Sequence, residues 1–335
     1  MYELIVIKEI FFRKFICWHY SVTRFLTSNG VVYLKQTPPA LSIELKITEI
    51  LYEKFHAPVP EIIDKNKDLS CFLMKDAGIP LREIQKSNFQ PDLLTKTLQK
   101  YTNLQVAVQN NINSFLELGM PDWRLEKLPL LYQRMVNKEA LLKREGLTTD
   151  ELKALHKLHP IITAMCELLS NYQIPETLNH CDFHDNNVLI ESDTNNLTII
   201  DWGEVVISHP FFSLISFVST SAYRYSITET DKIFIEWEDV CLENWLNLGV
   251  KSSLLGAFRL AKKLWPIYSA LGYYRLMISS HSSSLVDELN EWFSIGRNKG
   301  RLAGYFRVFM NTSEGLAPDD ISRINLADPA RAIRG

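Results

Sequence analysis

His180-Cys181-Asp182-Phe183-His184-Asp185-Asn186-Asn187-Val188-Leu189-Ile190, followed after a polar turn by Ile199-Ile200-Asp201-Trp202-Gly203-Glu204, is the stretch whose reading decides the fold. Two short apolar runs, Val188 to Ile190 and Leu197 to Ile200, flank Ser192-Asp193-Thr194-Asn195-Asn196, which spells a hairpin. Such a hairpin folds Asn187 back toward Asp201, so an Asp, an Asn five residues on and a second Asp face one point. That set meets the needs of phosphoryl transfer from a nucleotide. The first carboxylate orients an attacking hydroxyl and accepts its proton. The amide oxygen and the second carboxylate are the hard ligands that Mg²⁺ prefers.

Outward from this island the pattern is helical on both sides. Leu93 to Leu118 keeps a helical period until Pro121-Asp122-Trp123, and Pro129 to Arg144 and Thr149 to Tyr172 predict two more helices. Helical spacing resumes at Phe211 and fades in the last twenty residues, which predict an irregular tail. The first third reads differently. Phe11 to Trp18, Val22 to Leu26 and Val31 to Gln36 are strand-like, and Asn29-Gly30 predicts a tight turn with both central residues at positive φ. Pro38-Pro39 ends the third strand, an amphipathic helix follows over Ser42 to Phe55, and a further strand runs from Cys71 to Lys75. The expected architecture is α+β and bilobal: a small β-rich N-lobe over residues 1–76, a hinge near Lys75 to Ile79, and a large, mainly helical C-lobe over 77–335.

Composition narrows the function classes. Apolar residues make up 46% and charged ones 22% of 335 residues, the balance of a globular chain with a sizeable core. With 36 basic and 39 acidic side chains the net charge is −3, which argues against nucleic-acid partners and a polybasic membrane anchor. No apolar run reaches the ~18–20 residues that span a bilayer. Glu3, Lys8 and Glu9 interrupt the N-terminal apolar stretch, so no secretory signal is expected. The five cysteines are scattered and form no Cys-x-x-Cys pair, which predicts a reducing, cytoplasmic setting.

Residues 180–187 and 199–202 resemble the His-Gly-Asp-Leu-His-x-x-Asn and Ile-Asp-(Trp/Phe) motifs of the aminoglycoside phosphotransferase and choline kinase superfamily, small-molecule kinases with a protein-kinase-like fold. The resemblance implies an ATP-dependent phosphotransferase acting on a small-molecule hydroxyl. It makes Asp182 the base, Asn187 and Asp201 the Mg²⁺ ligands, and His180 a support of the catalytic loop, with His184 helping to hold it. Lys35, on the strand before the first helix, takes the place of the lysine that contacts the α and β phosphates. Glu44 is favoured as its acidic partner over Glu49, and the other acid is expected on the helix surface. Met74 to Ile79 would present backbone groups to the purine, which leaves ATP or GTP open, ATP being the expected nucleotide.

Three positions depart from the family pattern. The connection Trp18-His19-Tyr20-Ser21-Val22-Thr23 has no glycine, so Ser21 is the candidate phosphate contact at that turn. Cys181 replaces a glycine. Ser213, in His209-Pro210-Phe211-Phe212-Ser213-Leu214, stands where an Asp usually braces the loop. For the acceptor, Glu229, Asp231, Glu236, Glu238, Asp239 and Glu243 against Lys232 alone would welcome a cation, although such a run also fits a solvated helix face. Tyr223, Tyr225, Trp237, Trp245, Trp265, Tyr268, Tyr273 and Tyr274 would suit a quaternary ammonium, although helical spacing also fits them to the core. Two rivals stand beside the kinase reading. One is a catalytically silent nucleotide-binding member of the same fold. The other is a metallohydrolase using His180, Asp182, His184 and Asp185, with His209 and His281 as the remaining histidines considered.

Overall fold

The computed structural model describes residues 21–38, 41–280 and 300–313. The expected first strand, Phe11 to Trp18, and the expected tail lie outside the described residues, as does His281. A four-stranded antiparallel sheet opens the described chain, in the order β1 (Ser21–Thr27), β2 (Gly30–Gln36), β4 (Cys71–Lys75), β3 (Ile62–Asn66). The β1–β2 register pairs Thr27 with Gly30, so Ser28 and Asn29 form the two-residue turn, and Gly30 alone there takes positive φ, +108°. The expected pair of positive φ values at Asn29-Gly30 is thus corrected. Thr27 Oγ1 accepts from Asn29 N and donates to Gly30 O, which holds the turn one residue earlier. A second correction concerns Ser21, expected in a connecting turn. Ser21 pairs with Gln36 and Val22 with Lys35, because β-branched Val22 and Thr23 extend the strand to its N-terminal end. Strand β3 was not legible, since Asp64, Lys65 and Asn66 carry an exposed edge with little apolar signal.

Helix α1 (Ile43–Phe55) packs Ile47 and Leu51 into the core, as its spacing predicts. It ends at His56 in the left-handed conformation, before Pro58. Strand β4 then leads through Asp76-Ala77-Gly78 to β5 (Ile79–Pro80) and α2 (Leu81–Ser87). Gly78 is required at this crossing. Its φ is +106°, and a Cβ there would sit 2.0 Å from the Ile190 carbonyl oxygen.

The remainder is mostly helical: α3 (Pro91–Val108), α4 (Ile112–Glu117), α5 (Leu128–Val136), α6 (Glu139–Arg144), α7 (Thr149–Lys157), α8 (His159–Ser170), α9 (Phe211–Arg224), α10 (Lys232–Glu243), α11 (Lys251–Ser280) and α12 (Arg301–Ser313). Each of the three long helices expected between Leu93 and Tyr172 is broken once. A 3-10 turn, Gln109–Asn111, separates α3 from α4, Lys138 leaves helical geometry between α5 and α6, and Pro160 starts α8. A proline has no N–H to continue the preceding helix, which a periodic pattern alone does not register.

Two small sheets lie among these helices. One has the order β5, β7 (Val188–Ile190), β8 (Leu197–Ile199), and the other pairs β6 (Thr177–Asn179) with β9 (Val206–Ser208). Gln105 of α3 ties down the second of these. Its amide donates to Leu178 O (3.2 Å) and Pro210 O (3.0 Å), and its backbone carbonyl accepts from Thr177 Oγ1 (2.7 Å). A small antiparallel sheet followed by a large helical body is the α+β arrangement that the sequence predicts. No helix among the described residues is long and apolar enough to cross a membrane.

Candidate active site

The catalytic stretch leaves β6 at Asn179 and rests on α3. Tyr101 stacks on Phe183 with ring centroids 4.1 Å apart, and its hydroxyl accepts from His180 N at 2.8 Å. His180 is fully buried, and burial pulls its imidazole below the usual histidine value, so the ring is neutral. Its Nδ1 accepts from Asp182 N (3.2 Å), and its Nε2 lies 2.8 Å from Ile200 O. One neutral tautomer satisfies both contacts, with Nε2–H as donor. His180 therefore clamps the Asp182 segment to the Asp201 segment from beneath. It is placed to position these residues rather than to touch a substrate.

Asp182 and Asn187 sit on the cleft side of that clamp. Asn187 Nδ2 donates to Asp182 O (2.9 Å) and Oδ2 (3.0 Å), and His184 Nε2 lies 3.4 Å from Asp182 Oδ1. Withdrawal from water pushes the Asp182 carboxyl up, but His184, His180 and the Asn187 amide outweigh it and hold the group below the usual carboxylate range. His184 responds in kind, since Asp182 raises its pKa against the effect of burial. The hairpin does what its sequence implies. Val188 pairs with Ile199, and Ile200 N donates to Asn187 O at 2.9 Å, which sets Asn187 beside Asp201. Asp201 takes a left-handed backbone, φ 72° and ψ 47°, unusual for a residue with a side chain.

Lys35 reaches this point from the first sheet. Its ammonium, 4% exposed, donates to Glu44 Oε1 at 2.5 Å and to Asp201 Oδ1. Burial alone would pull the lysine down, yet the carboxylates of Asp201 and Glu44 hold it above its ordinary value. Glu49 lies elsewhere, 8% exposed and bonded to Lys65 of β3. The non-partner acid is thus not the surface charge expected of it. It faces β3, where Lys65 meets it. Ser21 begins β1, opposite Gln36.

The other flagged residues fall as follows. Cys181 Sγ accepts from Tyr268 OH at 3.3 Å, and burial pushes its thiol up to about 12, an inert filler. Ser213 donates from both Oγ (2.8 Å) and N (3.2 Å) to Asn179 Oδ1, so its brace acts on the residue before His180. Three of the six acids at and before α10 have local partners that the sequence did not place. Lys262 meets Glu229 (2.5 Å), Lys251 meets Asp239 (2.7 Å), and Asp231 accepts from Thr228. Trp237, Trp245 and Tyr268 are fully buried in the core. His209 is buried among Phe211 and Phe212 with its pKa pushed down to about 3 by burial, and no group of three or more metal-binding His, Cys, Asp or Glu occurs among the described residues.

Two acids carry more than their sequence disclosed. Asp185, 2% exposed, accepts from Arg82 Nε (2.9 Å) and Nη2 (2.7 Å) of α2 and from Tyr225 OH, with Arg224 Nε 3.4 Å away. Burial would raise its carboxyl, but these donors hold it below the ordinary value. Glu204 lies near both Asp182 and Asp201, and burial, reinforced by those charges, pushes it up to about 8 against the pull of Arg275 and Arg301. No motif announced either role, since Arg82 is 103 residues away from Asp185 in the chain and Arg275 is 71 from Glu204.

Known proteins place this arrangement. Residues 18–243, more than half of the chain, match the model of the phosphotransferase enzyme family. Among solved structures, an ethanolamine kinase of Plasmodium vivax matches with TM-score 0.55 at 16% identity, covering 88% of this chain and 81% of that one. A choline/ethanolamine kinase family protein of Mesorhizobium loti gives 0.52 at 12%, covering 93% and 89%. A macrolide 2'-phosphotransferase type I gives 0.51 at 12%, covering 88% and 93%. At such identities the likeness is one of fold. No curated protein matches the sequence. The family match runs over the four-stranded sheet, the β4–β5 connection and the β7–β8 hairpin and decides the class: this chain belongs to the phosphotransferase enzyme family.

Proposed function

We propose that the protein transfers the γ-phosphate of ATP, or of GTP bound in the same way, to a hydroxyl of a small molecule. The observation that carries this reading is the convergence at Asp201. Lys35 from β2, Glu44 from α1, Asn187 from the catalytic loop and Asp201 after the hairpin meet at one cleft. Structural economy alone does not account for a buried lysine held between two carboxylates, one of them on a residue with left-handed backbone. Phosphate recognition does.

In this reading Glu44 orients the Lys35 ammonium toward the α and β phosphates, and the Ser21 hydroxyl contacts phosphate from the start of β1. The residues present fit Mg²⁺. Asn187 commits its amide nitrogen to Asp182, which turns its oxygen to the cleft, and the Asp201 carboxylate adds a second hard ligand. When bound, the ion would neutralise charge on the phosphates. Asp182 accepts the acceptor's hydroxyl proton as the new O–P bond forms and the bond to the leaving nucleoside diphosphate breaks. A carboxyl held so low is a weak base, which suits a loose transition state in which the proton moves late. His180 positions Asp182 and Asp201 without entering the reaction. The scattered cysteines support a reducing, cytoplasmic setting, and the mild net charge supports a small-molecule partner rather than a nucleic acid or membrane.

Calorimetric titration with ATP and ADP, with and without Mg²⁺, tests the site with no knowledge of the acceptor. Saturable, Mg²⁺-dependent binding is expected, weakened at least tenfold by Asp201→Ala through loss of a charge-assisted contact. No binding at millimolar nucleotide overturns the reading.

A further inference from the structure

A cavity of about 530 Å³ lies between α5 and α11, floored by Trp123, Leu131 and Leu271. Its charged lining is of one sign: Arg134 and Lys138 on one wall and Arg275 on the other, with no carboxylate among the lining residues. Arg134 and Lys138 make no ion pair among the described residues, although acids are plentiful on neighbouring helices. Arg134 also complements the C-terminal end of α5, but that benefit needs no cavity and does not extend to Lys138 beyond the helix.

The cavity adjoins the catalytic segment. Arg275 donates to Glu204 O (3.3 Å) and Val205 O (3.4 Å), just after Asp201. Two turns earlier on the same helix, Tyr268 donates to Cys181, the neighbour of Asp182. Trp123, on the floor, packs edge-on against Tyr268 at 5.7 Å. One wall of the cavity is therefore the helix that lies on the catalytic loop.

Resting on the phosphotransferase reading above, we infer that this cavity binds the acceptor and that the acceptor is an anion: a hydroxyl compound with an apolar body and a carboxylate or phosphate. The apolar body covers Trp123, Leu131 and Leu271. The anionic group meets Arg134 and Lys138, whose charge attracts it from solvent. The hydroxyl end points past Arg275 toward Asp182. A cationic amino-alcohol would meet like charge at the rim.

The test uses four matched probes that share a benzyl alcohol: 4-(hydroxymethyl)benzoate, 4-(hydroxymethyl)phenyl phosphate, uncharged 4-methylbenzyl alcohol and cationic 4-(aminomethyl)benzyl alcohol. Direct binding to the full chain is measured by calorimetry, and phosphorylation in the presence of Mg²⁺-ATP by mass spectrometry. Binding of an anionic probe at least tenfold tighter than of the other two, and weaker at higher salt, is expected. The carboxylate and phosphate arms show which anion the site takes. In an Arg134→Gln/Lys138→Gln variant with unchanged melting temperature, that preference should fall about tenfold, read as KM with little change in kcat. Equal or better binding of the cationic probe, or an unaltered preference in the variant, overturns the inference. So does an anionic probe that binds but is not phosphorylated while nucleotide binds normally. Failure of nucleotide binding overturns instead the phosphotransferase reading, and the charge preference is still read from the probe titrations alone.

Discussion

Asp182 and Asp185 stand three residues apart on one loop and live in opposite worlds. The Asp182 side chain is about half exposed, its carboxylate meets the Asn187 amide and the His184 imidazole, and no arginine or lysine among the described residues pairs with it. Asp185 is sealed against α2 and the end of α9, held by Arg82, Arg224 and Tyr225. Both carboxyls are held below the ordinary range, but for different ends. The first stays open to solvent. The second cannot leave. The loop thus has a working face and an anchored face, and its two aspartates should fail in opposite ways when removed.

The largest expected effect is on the working face. Asp182→Asn keeps the shape and the hydrogen bond to Asn187 but cannot take a proton, so turnover should fall by roughly 10³-fold. Thermal unfolding should shift by no more than a degree or two, because the group is part-solvated and its neighbours remain hydrogen-bonded. A variant with near-normal turnover, measured as phosphorylated product, would show that another group accepts the proton.

The anchored face should show the reverse. Asp185→Ala strips the charge from a buried site and leaves Arg82 facing Tyr225 and Arg224 unbalanced. Breaking such a pair costs about 3 kcal/mol of stability, seen as a lower urea midpoint with unchanged slope. The acid side of the stability curve carries the same signature. Because the Asp185 pKa is depressed, its contribution is complete above the unfolded value near ~4 and disappears as pH falls through the folded one. Asp185→Ala should therefore be far weaker than wild type at neutral pH and close to it in strong acid. A uniform deficit at all pH values would point to lost packing rather than lost charge.

This contrast also explains what could be read without a structure. Asp182, Asn187 and Asp201 were legible because local spacing and one short hairpin bring them together, and a hairpin is written in a few adjacent residues. Lys35 and Glu44 were legible because one strand precedes one helix. Asp185 lay inside the quoted motif and still gave no signal, since its meaning is set by Arg82 and Tyr225 from distant elements. The same limit hid β3, whose polar edge has no alternation to detect, and misplaced Glu49, whose partner Lys65 sits on that unseen strand. It also hid the partners of Asp239 and Glu229, because Lys251 and Lys262 come from the following helix. Long-range pairing is a property of the packed fold, and periodicity along the chain does not encode it.

Glu204 sharpens the comparison with the smallest expected effect. Like Asp185 it has two arginines near, yet its carboxyl is pushed up to about 8 rather than down. Burial dominates and Asp182 and Asp201 add like charge, which together outweigh the pull of Arg275 and Arg301. A carboxyl whose folded pKa exceeds its unfolded value near ~4.3 binds its proton more tightly in the native state. Stability then declines as pH rises from there to about 8 and levels off above, where both states are ionised. Glu204→Gln has no proton to lose, so it should match wild type near pH 4 and be the more stable of the two at pH 8.5. Parallel stability curves for the two proteins would mean that Glu204 is solvated enough to ionise beside the two aspartates. In that case charge crowding in the cleft would be relieved by water rather than by a retained proton.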